Sequence, residues 1–363
     1  TGTYLPCPPT RPSHFFKTMK ALTLTEYNQF EYGDAPEPEI GPGEVLIRVQ
    51  ACGICGSDVH GMDGSSGRRI PPIIMGHEAS GIIESIGENV DGWSPGDRVT
   101  FDSTIYCGEC PNCRDGQVNL CENRQVMGVS CGEYRRHGAY AELVTVPAHI
   151  LYRIPEGMSF EEAAFAEPIS VALHAVNRVP IQQGDTAVVV GAGLIGLLVV
   201  QALKRAGCER IIAADLVQSR LDLALELGAT DIFLSNEVDV PAEVLKRTGD
   251  KGADVAMEVV GLGKTLGIAI DCVRTGGSVG CVGNIEQMSE FSLQKVVTRE
   301  ITLYGSCASA GEYADAMEGL ADGSIRVKPL TSGVVNLSDG AEWFSRLHAG
   351  EDLFKVILKP DSV

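Results

Sequence analysis

Apolar and polar positions alternate in short runs from Met19 to about Val146. The runs include GEVLIRVQACG, ASGIIESIGENV, GDRVTF and AYAELVTVPA, and glycine or proline separates them. Alternation with a period of two places every second side chain on one face of a strand, and the glycines and prolines supply the turns. The pattern predicts a twisted, mainly antiparallel β-domain whose first strand begins near Met19.

The pattern changes after about Ser170, where short apolar runs alternate with helical segments. Strands are predicted near residues 186–190, 210–214 and 231–234, with further candidates in ADVAMEVV, GSVGCVG and EITLYGS. Apolar strands separated by helices are typical of a parallel sheet covered by helices. The tail after Gly305 mixes the helix GEYADAMEGLADG with the strands VVNL and FKVILKP, and we expect it to return to the first domain.

Composition narrows the class of protein. The chain has 363 residues, of which 44% are hydrophobic and 21% charged, which favours a globular protein with two domains. Residues 1–18 are polar and rich in proline, so we expect an extension ahead of the folded part and no signal peptide. No apolar run is long enough for a membrane span, and we expect a cytoplasmic protein. A net charge of -19 argues against nucleic acid or an anionic membrane as a partner.

The segment VVVGAGLIG joins a predicted strand to a predicted helix and has the G-x-G-x-x-G spacing of dinucleotide-binding proteins. The helix N-terminus after it offers free N–H groups to phosphates. Asp215 ends the next strand, where a carboxylate accepts hydrogen bonds from ribose hydroxyls and repels a 2′-phosphate. The segment predicts NAD rather than NADP, although Arg220 offers a cation nearby. The predicted cofactor-binding residues are Gly191, Gly193, Leu194, Ile195, Gly196, Asp215, Arg220, Val282 and Gly283.

Four cysteines stand close together in CGECPNCRDGQVNLC, at Cys107, Cys110, Cys113 and Cys121. Four thiolates fill all positions around a tetrahedral zinc ion, and a site without an open position is structural. An iron–sulfur cluster is the rival interpretation, but the spacing differs from the common ferredoxin runs. We therefore expect a structural zinc ion in this lobe, residues 107–121.

A second set of candidate zinc ligands is spread along the chain. They are Cys52 and Cys55 in ACGICGSDVHGMDG, His77 and Glu78 in GHEASG, and Glu167 and His174 in FAEPISVALHA. A catalytic zinc ion needs an open coordination position and usually has mixed ligands. The residues alone do not show which of these side chains meet in space.

These motifs resemble those of the zinc-containing medium-chain dehydrogenases, the family of alcohol, polyol and threonine dehydrogenases. GICGSDVH, GHEASGIIESIGENVDGWSPGDRV, the four-cysteine lobe, GAGLIG and AADLVQSR stand in the family's order, and GICGSD and EPISVALHA look most like the sorbitol (L-iditol) dehydrogenase branch. The resemblance implies an α/β fold with two domains. A GroES-like, mainly β catalytic domain would comprise residues 19–170 and 307–363, and an inserted Rossmann domain that binds NAD would comprise residues 171–306.

The resemblance also implies ligands for the catalytic zinc ion. Cys55, His77 and Glu78 match the ligand positions of the polyol branch. Glu167 matches a residue that holds the zinc-bound water, or it exchanges with Glu78, so the third ligand stays open. Cys52 is then a packed small side chain.

A proton path is implied as well. Ser57 matches the group that accepts the proton of the substrate hydroxyl, and His60 matches the histidine at the end of the family's relay. His174 is expected to be a packed helix residue near the domain junction.

The implied reaction is the oxidation of a secondary alcohol, of a polyol or sugar alcohol, to a ketone, with transfer of a hydride to NAD. Zinc favours loss of the hydroxyl proton because it lowers the pKa of a bound oxygen. Two features depart from the polyol branch: Gly61 replaces an aromatic residue after the relay histidine, and CAS at residues 307–309 replaces an Arg-Tyr pair. The substrate is therefore open between polyols, sugar-acid alcohols and β-hydroxy amino acids such as threonine.

Other interpretations are a zinc-free quinone or enoyl reductase and a non-catalytic redox sensor that binds a dinucleotide. The zinc-free reductases lack the cysteine lobe and the Cys, His and Glu set. The resemblance further predicts a homodimer or homotetramer, and the apolar strand ITLYG offers an edge for pairing between subunits.

Overall fold

The computed structural model describes residues 17–131 and 134–361. The prediction for the extension therefore lies outside the described residues, apart from its last two positions. Within the described ranges, no helix combines the length and the hydrophobicity that a membrane span requires.

The strands follow one another along the whole described chain. They are β1 (Thr18–Glu26), β2 (Gln29–Pro36), β3 (Glu44–Gly53), β4 (Ile73–Ile74), β5 (Glu78–Ile86), β6 (Arg98–Phe101), β7 (Thr104–Ile105), β8 (Gln125–Val126), β9 (Ser130–Cys131), β10 (Tyr134–Arg135), β11 (Leu143–Pro147), β12 (Leu151–Arg153), β13 (Thr186–Val190), β14 (Arg210–Asp215), β15 (Asp231–Leu234), β16 (Ala253–Glu258), β17 (Val273–Cys281), β18 (Thr302–Gly305), β19 (Thr331–Asn336) and β20 (Lys355–Lys359).

The α-helices of the described chain range from 4 to 12 residues. They are α1 (Gly56–Val59), α2 (Pro111–Arg114), α3 (Phe160–Ala163), α4 (Ala166–Asn177), α5 (Leu194–Arg205), α6 (Gln218–Leu227), α7 (Val240–Arg247), α8 (Gly263–Cys272), α9 (Leu293–Thr298), α10 (Tyr313–Ala321) and α11 (Gly340–His348).

A seven-stranded sheet forms the centre of the first domain, with the order β12-β6-β5-β3-β20-β19 and with β11 paired to β3. Its pairings are antiparallel except that β19 and β20 run parallel. Ile357 and Leu358 of β20 lie opposite Gly53 and Cys52 of β3, so the C-terminal tail returns to this sheet as the sequence predicts. The smaller sheets are β2-β1-β4, β7-β8 and β9-β10.

The second large sheet has the order β15-β14-β13-β16-β17-β18, and all of its pairings are parallel. Numbered within the sheet this is the order 3-2-1-4-5-6, which is typical of dinucleotide-binding proteins. The strands predicted near residues 186–190, 210–214 and 231–234 are β13, β14 and β15, so the predicted parallel sheet is confirmed. Ligands of such sheets bind at the carboxyl ends of the strands, where the order reverses.

One apolar cluster joins the two large sheets. Ala51 of β3 and Ile357 of β20 pack with residues of α4 and α5, among them Ile169 and Leu197. The predicted boundary between residues 170 and 171 lies within α4. This helix therefore connects the first sheet to the parallel sheet, and it carries Glu167 in its first turn.

Candidate active site

Cys55, His77 and Glu78 come together where the central strands of the first sheet meet. Cys55 follows β3 and caps α1, and its Sγ accepts a hydrogen bond from the backbone N–H of Ser57 at 3.4 Å. His77 precedes β5 and Glu78 begins it, opposite Gly53 at the end of β3. The candidate ligand atoms of Cys55, His77 and Glu78 all lie within 4.8 Å of one another.

The donor set of this group fits a zinc ion. Thiolate, imidazole and carboxylate are the usual protein ligands of zinc, and three of them leave a fourth tetrahedral position open. Desolvation and the nearby charge of Glu78 raise the pKa of the Cys55 thiol well above its usual value. A divalent cation at this place would supply the positive charge that a thiolate needs.

A buried ionic cluster lies behind His77. The Nδ1 atom of His77 makes no hydrogen bond among the described residues, and Asp58 Oδ2 lies 3.5 Å from it. Asp58 is fully buried; its Oδ1 accepts hydrogen bonds from Arg69 at 2.6 and 2.8 Å, and its Oδ2 accepts one from the Tyr140 hydroxyl at 2.9 Å. Burial by itself would raise the pKa of Asp58, but the charges of Arg69 and His77 bring it below its usual value. A carboxylate behind a histidine fixes the ring and leaves Nε2 for a metal.

Glu78 is paired with Lys355 of β20. Lys355 Nζ lies 2.5 Å from Glu78 Oε2 and donates a second hydrogen bond to the carbonyl of Ile54 at 2.9 Å. Both charged side chains are only 2% exposed. Gly53 makes the contact possible, because a Cβ at that position would lie 2.3 Å from Glu78 Oε2. Burial by itself would lower the pKa of Lys355, but Glu78 raises it, so the pair is ionic.

Glu167 lies close to this group without belonging to it. Its Oε1 accepts a hydrogen bond from Ser103 Oγ at 3.0 Å. Desolvation raises the pKa of Glu167 to about 7; the charge of His77 opposes the shift and that of Glu78 adds to it. A carboxyl group with this pKa can take up and release a proton near neutral pH.

The residues predicted for the proton path lie on one helical turn. Ser57 is on α1, and His60 caps its C-terminal end; both are exposed. Ser57 Oγ donates a hydrogen bond to Cys55 Sγ at 3.2 Å and accepts one from Arg69 Nη2 at 3.2 Å. The Ser57 hydroxyl therefore stands directly beside a candidate metal ligand.

Gly61 departs from the family pattern for a steric reason. A Cβ at Gly61 would lie 2.6 Å from Arg69 Cγ and 2.9 Å from the carbonyl oxygen of Ser57. Arg69 is 4% exposed and is held there by its ion pair with Asp58. Arg69 and an aromatic side chain at position 61 therefore exclude each other.

The four cysteines of the lobe converge as predicted from their spacing. The sulfur atoms of Cys107, Cys110, Cys113 and Cys121 all lie within 4.8 Å of one another. Backbone hydrogen bonds from Glu109 and Cys110 lower the pKa of Cys107 to about 6, whereas desolvation and the Cys110 side chain raise that of Cys113 to about 12. Four thiolates so close together need a cation between them, and a tetrahedral zinc ion fits this donor set.

His174 is a buried residue of α4, as predicted, but it is also hydrogen bonded on both sides. Its Nδ1 lies 2.8 Å from Glu312 Oε1, and its Nε2 lies 3.3 Å from Asn119 Nδ2. Asn119 Nδ2 also donates to the carbonyl of Cys307 at 2.7 Å. His174 thus ties the cysteine lobe to the segment that follows β18, and it lies outside the Cys55, His77 and Glu78 group.

The glycine-rich segment has the geometry that a dinucleotide requires. Gly191 has a φ of 103°, which only glycine adopts readily. A Cβ at Gly193 would meet nothing within 4 Å, and one at Gly196 would lie 1.9 Å from the carbonyl oxygen of Gly191. The open space at Gly193 lets a pyrophosphate approach, and the close packing at Gly196 brings α5 onto the sheet. No side chain of the described residues caps α5, so the N–H groups of Leu194 and Ile195 in its first turn are available to phosphates.

Asp215 is fixed by backbone groups beside this segment. Its Oδ2 accepts a hydrogen bond from the N–H of Ala192 at 2.7 Å, and its Oδ1 accepts from Leu216 and Val217 at 2.8 and 3.0 Å. A carboxylate has about four acceptor positions, so ribose hydroxyls can still bind. Arg220, predicted as a nearby cation, is paired with Asp352 at 2.8 Å.

Val282 and Gly283 lie at the same edge of the parallel sheet. Their N–H groups bind the carbonyl of Glu258 at 2.9 and 3.1 Å. A Cβ at Gly283 would lie 2.0 Å from the nitrogen of Gly261, so the segments after β16 and β17 touch closely. This contact places both predicted residues at the carboxyl ends of the strands.

The sequence patterns did not single out Lys355, Arg69, Ser103 or Asp352. For Lys355 there is a signal in retrospect, because it is a cation at the start of the apolar strand KVILK. The other three stand in polar segments without a periodic pattern. Their contacts depend on chain folding over long separations, which a motif does not record.

The fold and the two groups of candidate metal ligands together are those of a two-domain dehydrogenase that binds a dinucleotide. A model for the GroES-like domain of alcohol dehydrogenases matches residues 41–156, and a model for zinc-binding dehydrogenases matches residues 195–322. The chain belongs to the zinc-containing alcohol dehydrogenase family. This confirms the predicted family and α/β fold class, and the prediction of an enzyme that uses zinc and NAD.

Relatives with known names extend over nearly the whole chain. Sorbitol dehydrogenase of Bacillus subtilis is 34% identical over 95% of this chain and 98% of the relative. L-idonate 5-dehydrogenase of Vitis vinifera is 34% identical over 88% of this chain and 89% of the relative. A protein of Sinorhizobium meliloti described as a zinc-binding dehydrogenase, with a structure bound to NADP, is 32% identical over 95% of this chain and 100% of that chain, with a TM-score of 0.88.

We predict that Gly61→Ala destabilises the protein. The added Cβ forces Arg69 away from its place, and overpacking of this kind costs about 1–3 kcal/mol, or several degrees in the thermal midpoint. Gly33→Ala is the matched control, because a Cβ there meets nothing within 4 Å. Equal thermal midpoints for the two variants would contradict the steric argument.

We also predict a pH dependence of stability from Asp102, which precedes Ser103 and is 2% exposed. Burial raises the pKa of Asp102 to about 7. When an aspartic acid has a higher pKa in the folded chain than in the unfolded chain, the folded protein becomes less stable as the pH rises toward the pKa of the folded state. The free energy of unfolding of Asp102→Asn, measured in urea, should therefore rise relative to that of the wild type by roughly 1 kcal/mol for each pH unit between about pH 5 and 7. The exposed Asp34→Asn should show no such trend, and a constant difference for Asp102→Asn would refute the prediction.

Proposed function

We propose that the chain is an NAD-dependent zinc dehydrogenase that oxidises a secondary alcohol of a polyol, sugar alcohol or sugar acid to a ketone. The convergence of Cys55, His77 and Glu78 within 4.8 Å carries the proposal, since this set fits a zinc ion with an open position. Relatives named as sorbitol dehydrogenase and L-idonate 5-dehydrogenase support this substrate class.

Cys55, His77 and Glu78 would hold the catalytic zinc ion, and Glu167 would bind water at the open position or exchange with Glu78. The pairing of Glu78 with Lys355 favours Glu167 as the more mobile carboxylate, because Glu78 is anchored at 2.5 Å. When bound, zinc polarises the substrate oxygen and NAD accepts the hydride. Asp58 keeps the His77 ring in place, and Arg69 holds Asp58.

The remaining steps belong to side chains of this chain. Ser57 Oγ would accept the hydroxyl proton as it gives up its own, and His60 at the end of α1 would release a proton to solvent. Ser57 Oγ accepts a hydrogen bond from Arg69 and donates one to Cys55 Sγ, which leaves its second lone pair for the hydroxyl proton. Glu167 is the alternative proton carrier, since its pKa of about 7 allows both protonation states.

We propose the same arrangement of domains as the sequence indicates: residues 19–170 with 307–363 as the catalytic domain, 171–306 as the NAD-binding domain, and 107–121 as a structural zinc lobe. A cytoplasmic homodimer or homotetramer completes the proposal. Its support is β18, which forms one edge of the parallel sheet and is therefore free to pair with a second copy.

Metal content tests the assignment of the two sites. We predict about two zinc ions per purified chain, because the proposal has one closed and one open zinc site. Cys55→Ala should retain about one ion and lose turnover, and Cys107→Ser should lose the other. The measurement is mass-spectrometric metal analysis beside a turnover assay. Full activity of Cys55→Ala would exclude it as a ligand.

A substrate panel tests the reaction. Sorbitol, xylitol, L-idonate and threonine are offered with NAD, and NADH formation is followed by absorbance. We predict turnover with a polyol or sugar acid and none with Cys55→Ala. Turnover with threonine alone would assign the chain to the threonine dehydrogenase type instead.

A further inference from the structure

Two hydrogen bonds join the C-terminal tail to the helix that follows Asp215. Ser219 and Arg220 lie in the first turn of α6, directly after the strand end that carries Asp215. Asp352 comes from the C-terminal tail, between α11 and β20. Its Oδ1 accepts a hydrogen bond from Arg220 Nε at 2.8 Å, and its Oδ2 accepts one from Ser219 Oγ at 2.8 Å. One carboxylate thus engages two neighbouring polar side chains of this turn.

The location gives these contacts a chemical meaning. In this fold the residues after the second strand decide between the two nucleotides: an acidic residue binds the ribose hydroxyls of NAD, and an arginine nearby accommodates the 2′-phosphate of NADP. This chain has both residues: Asp215 is the acidic residue and Arg220 is the arginine. A serine hydroxyl beside the guanidinium adds a further donor for a phosphate oxygen.

We propose that Asp352 is a specificity-determining residue that selects NAD over NADP by occupying Ser219 and Arg220. The inference rests on the proposed NAD-dependent function. Two effects of Asp352 act in the same direction. It engages the donors that a 2′-phosphate would use, and its own negative charge repels a phosphate at that place.

The exposure of the pair is compatible with this role. The side chains of Arg220 and Asp352 are 29% and 44% exposed, so a nucleotide can reach them. The NADP-bound relative described above belongs to the same fold, so the fold itself does not exclude a 2′-phosphate. In this chain the exclusion must therefore come from particular side chains.

The test compares the binding of NADH and NADPH, followed by fluorescence titration of the wild type and Asp352→Asn. The amide has no charge, so it binds the guanidinium more weakly than the carboxylate does and removes the repulsion. We expect the Kd for NADPH to fall by about tenfold, the effect of one hydrogen bond to a charged group, and the Kd for NADH to change by less than about threefold. The double variant Asp352→Asn with Arg220→Ala should lose the gain.

Glu351→Gln is the matched control. It removes the same charge one residue away, but Glu351 pairs with Arg346 on α11 and not with α6. The NADPH affinity of this variant should equal that of the wild type.

Each other outcome has a definite meaning. An unchanged Kd for NADPH in Asp352→Asn, or an equal change for both nucleotides, would overturn the inference and leave the proposed function standing. A gain in Glu351→Gln equal to that in Asp352→Asn would also overturn it, because the effect would then be general charge. A wild type that binds neither nucleotide would overturn the proposed function and the inference with it.

Discussion

A buried carboxylate is costly unless a positive charge or hydrogen bonds stabilise it, and the central strands of the first sheet bring a positive charge to Glu78. Glu78 begins β5 and Lys355 begins β20, and Gly53 at the end of β3 lies between these two strands. The absence of a side chain at Gly53 leaves room for the two charged groups to meet. A buried pair that loses one partner typically costs about 3–5 kcal/mol, so the ends of the three strands are fixed relative to one another. Cys55, two residues after β3, is placed by the same arrangement.

The charge balance of the site follows from this pairing. The carboxylates of Glu78 and Asp58 each have a basic partner, Lys355 and Arg69. Among the described residues, Cys55 and Glu167 form no ion pair, and desolvation raises the pKa of both. The two unpaired acidic groups thus flank His77, whose ring lies against a carboxylate on one side. A divalent cation at the three converging ligands would balance the negative charge of the Cys55 thiolate and would attract the nearby carboxylate of Glu167.

Local motifs carried most of what the sequence could predict. The glycine-rich segment and the cysteine lobe are continuous in sequence, so their spacing alone fixes their geometry. The parallel strands were equally predictable, because each is a short apolar run between helices. The role of Lys355 could not be predicted from the sequence, because its partner Glu78 lies 277 residues away and a single lysine in an apolar strand has no characteristic spacing. The contact of Asp352 could not be predicted for the same reason, since 132 residues separate it from Arg220. Long-range ion pairs depend on topology, which periodicity does not encode.

The C-terminal tail links the proposed nucleotide site to the candidate metal ligands. Asp352 contacts α6 of the parallel-sheet domain, and Lys355, three residues later, contacts Glu78. The two contacts differ in strength, because the side chain of Asp352 is 44% exposed whereas that of Lys355 is 2% exposed. An exposed pair contributes at most about 1 kcal/mol and opens easily, whereas the buried pair cannot open without leaving a charge unpaired. Movement of the domains should therefore break the tail's contacts at Asp352 and preserve those at Lys355. Such a movement would leave the candidate metal ligands in the geometry that the first sheet gives them.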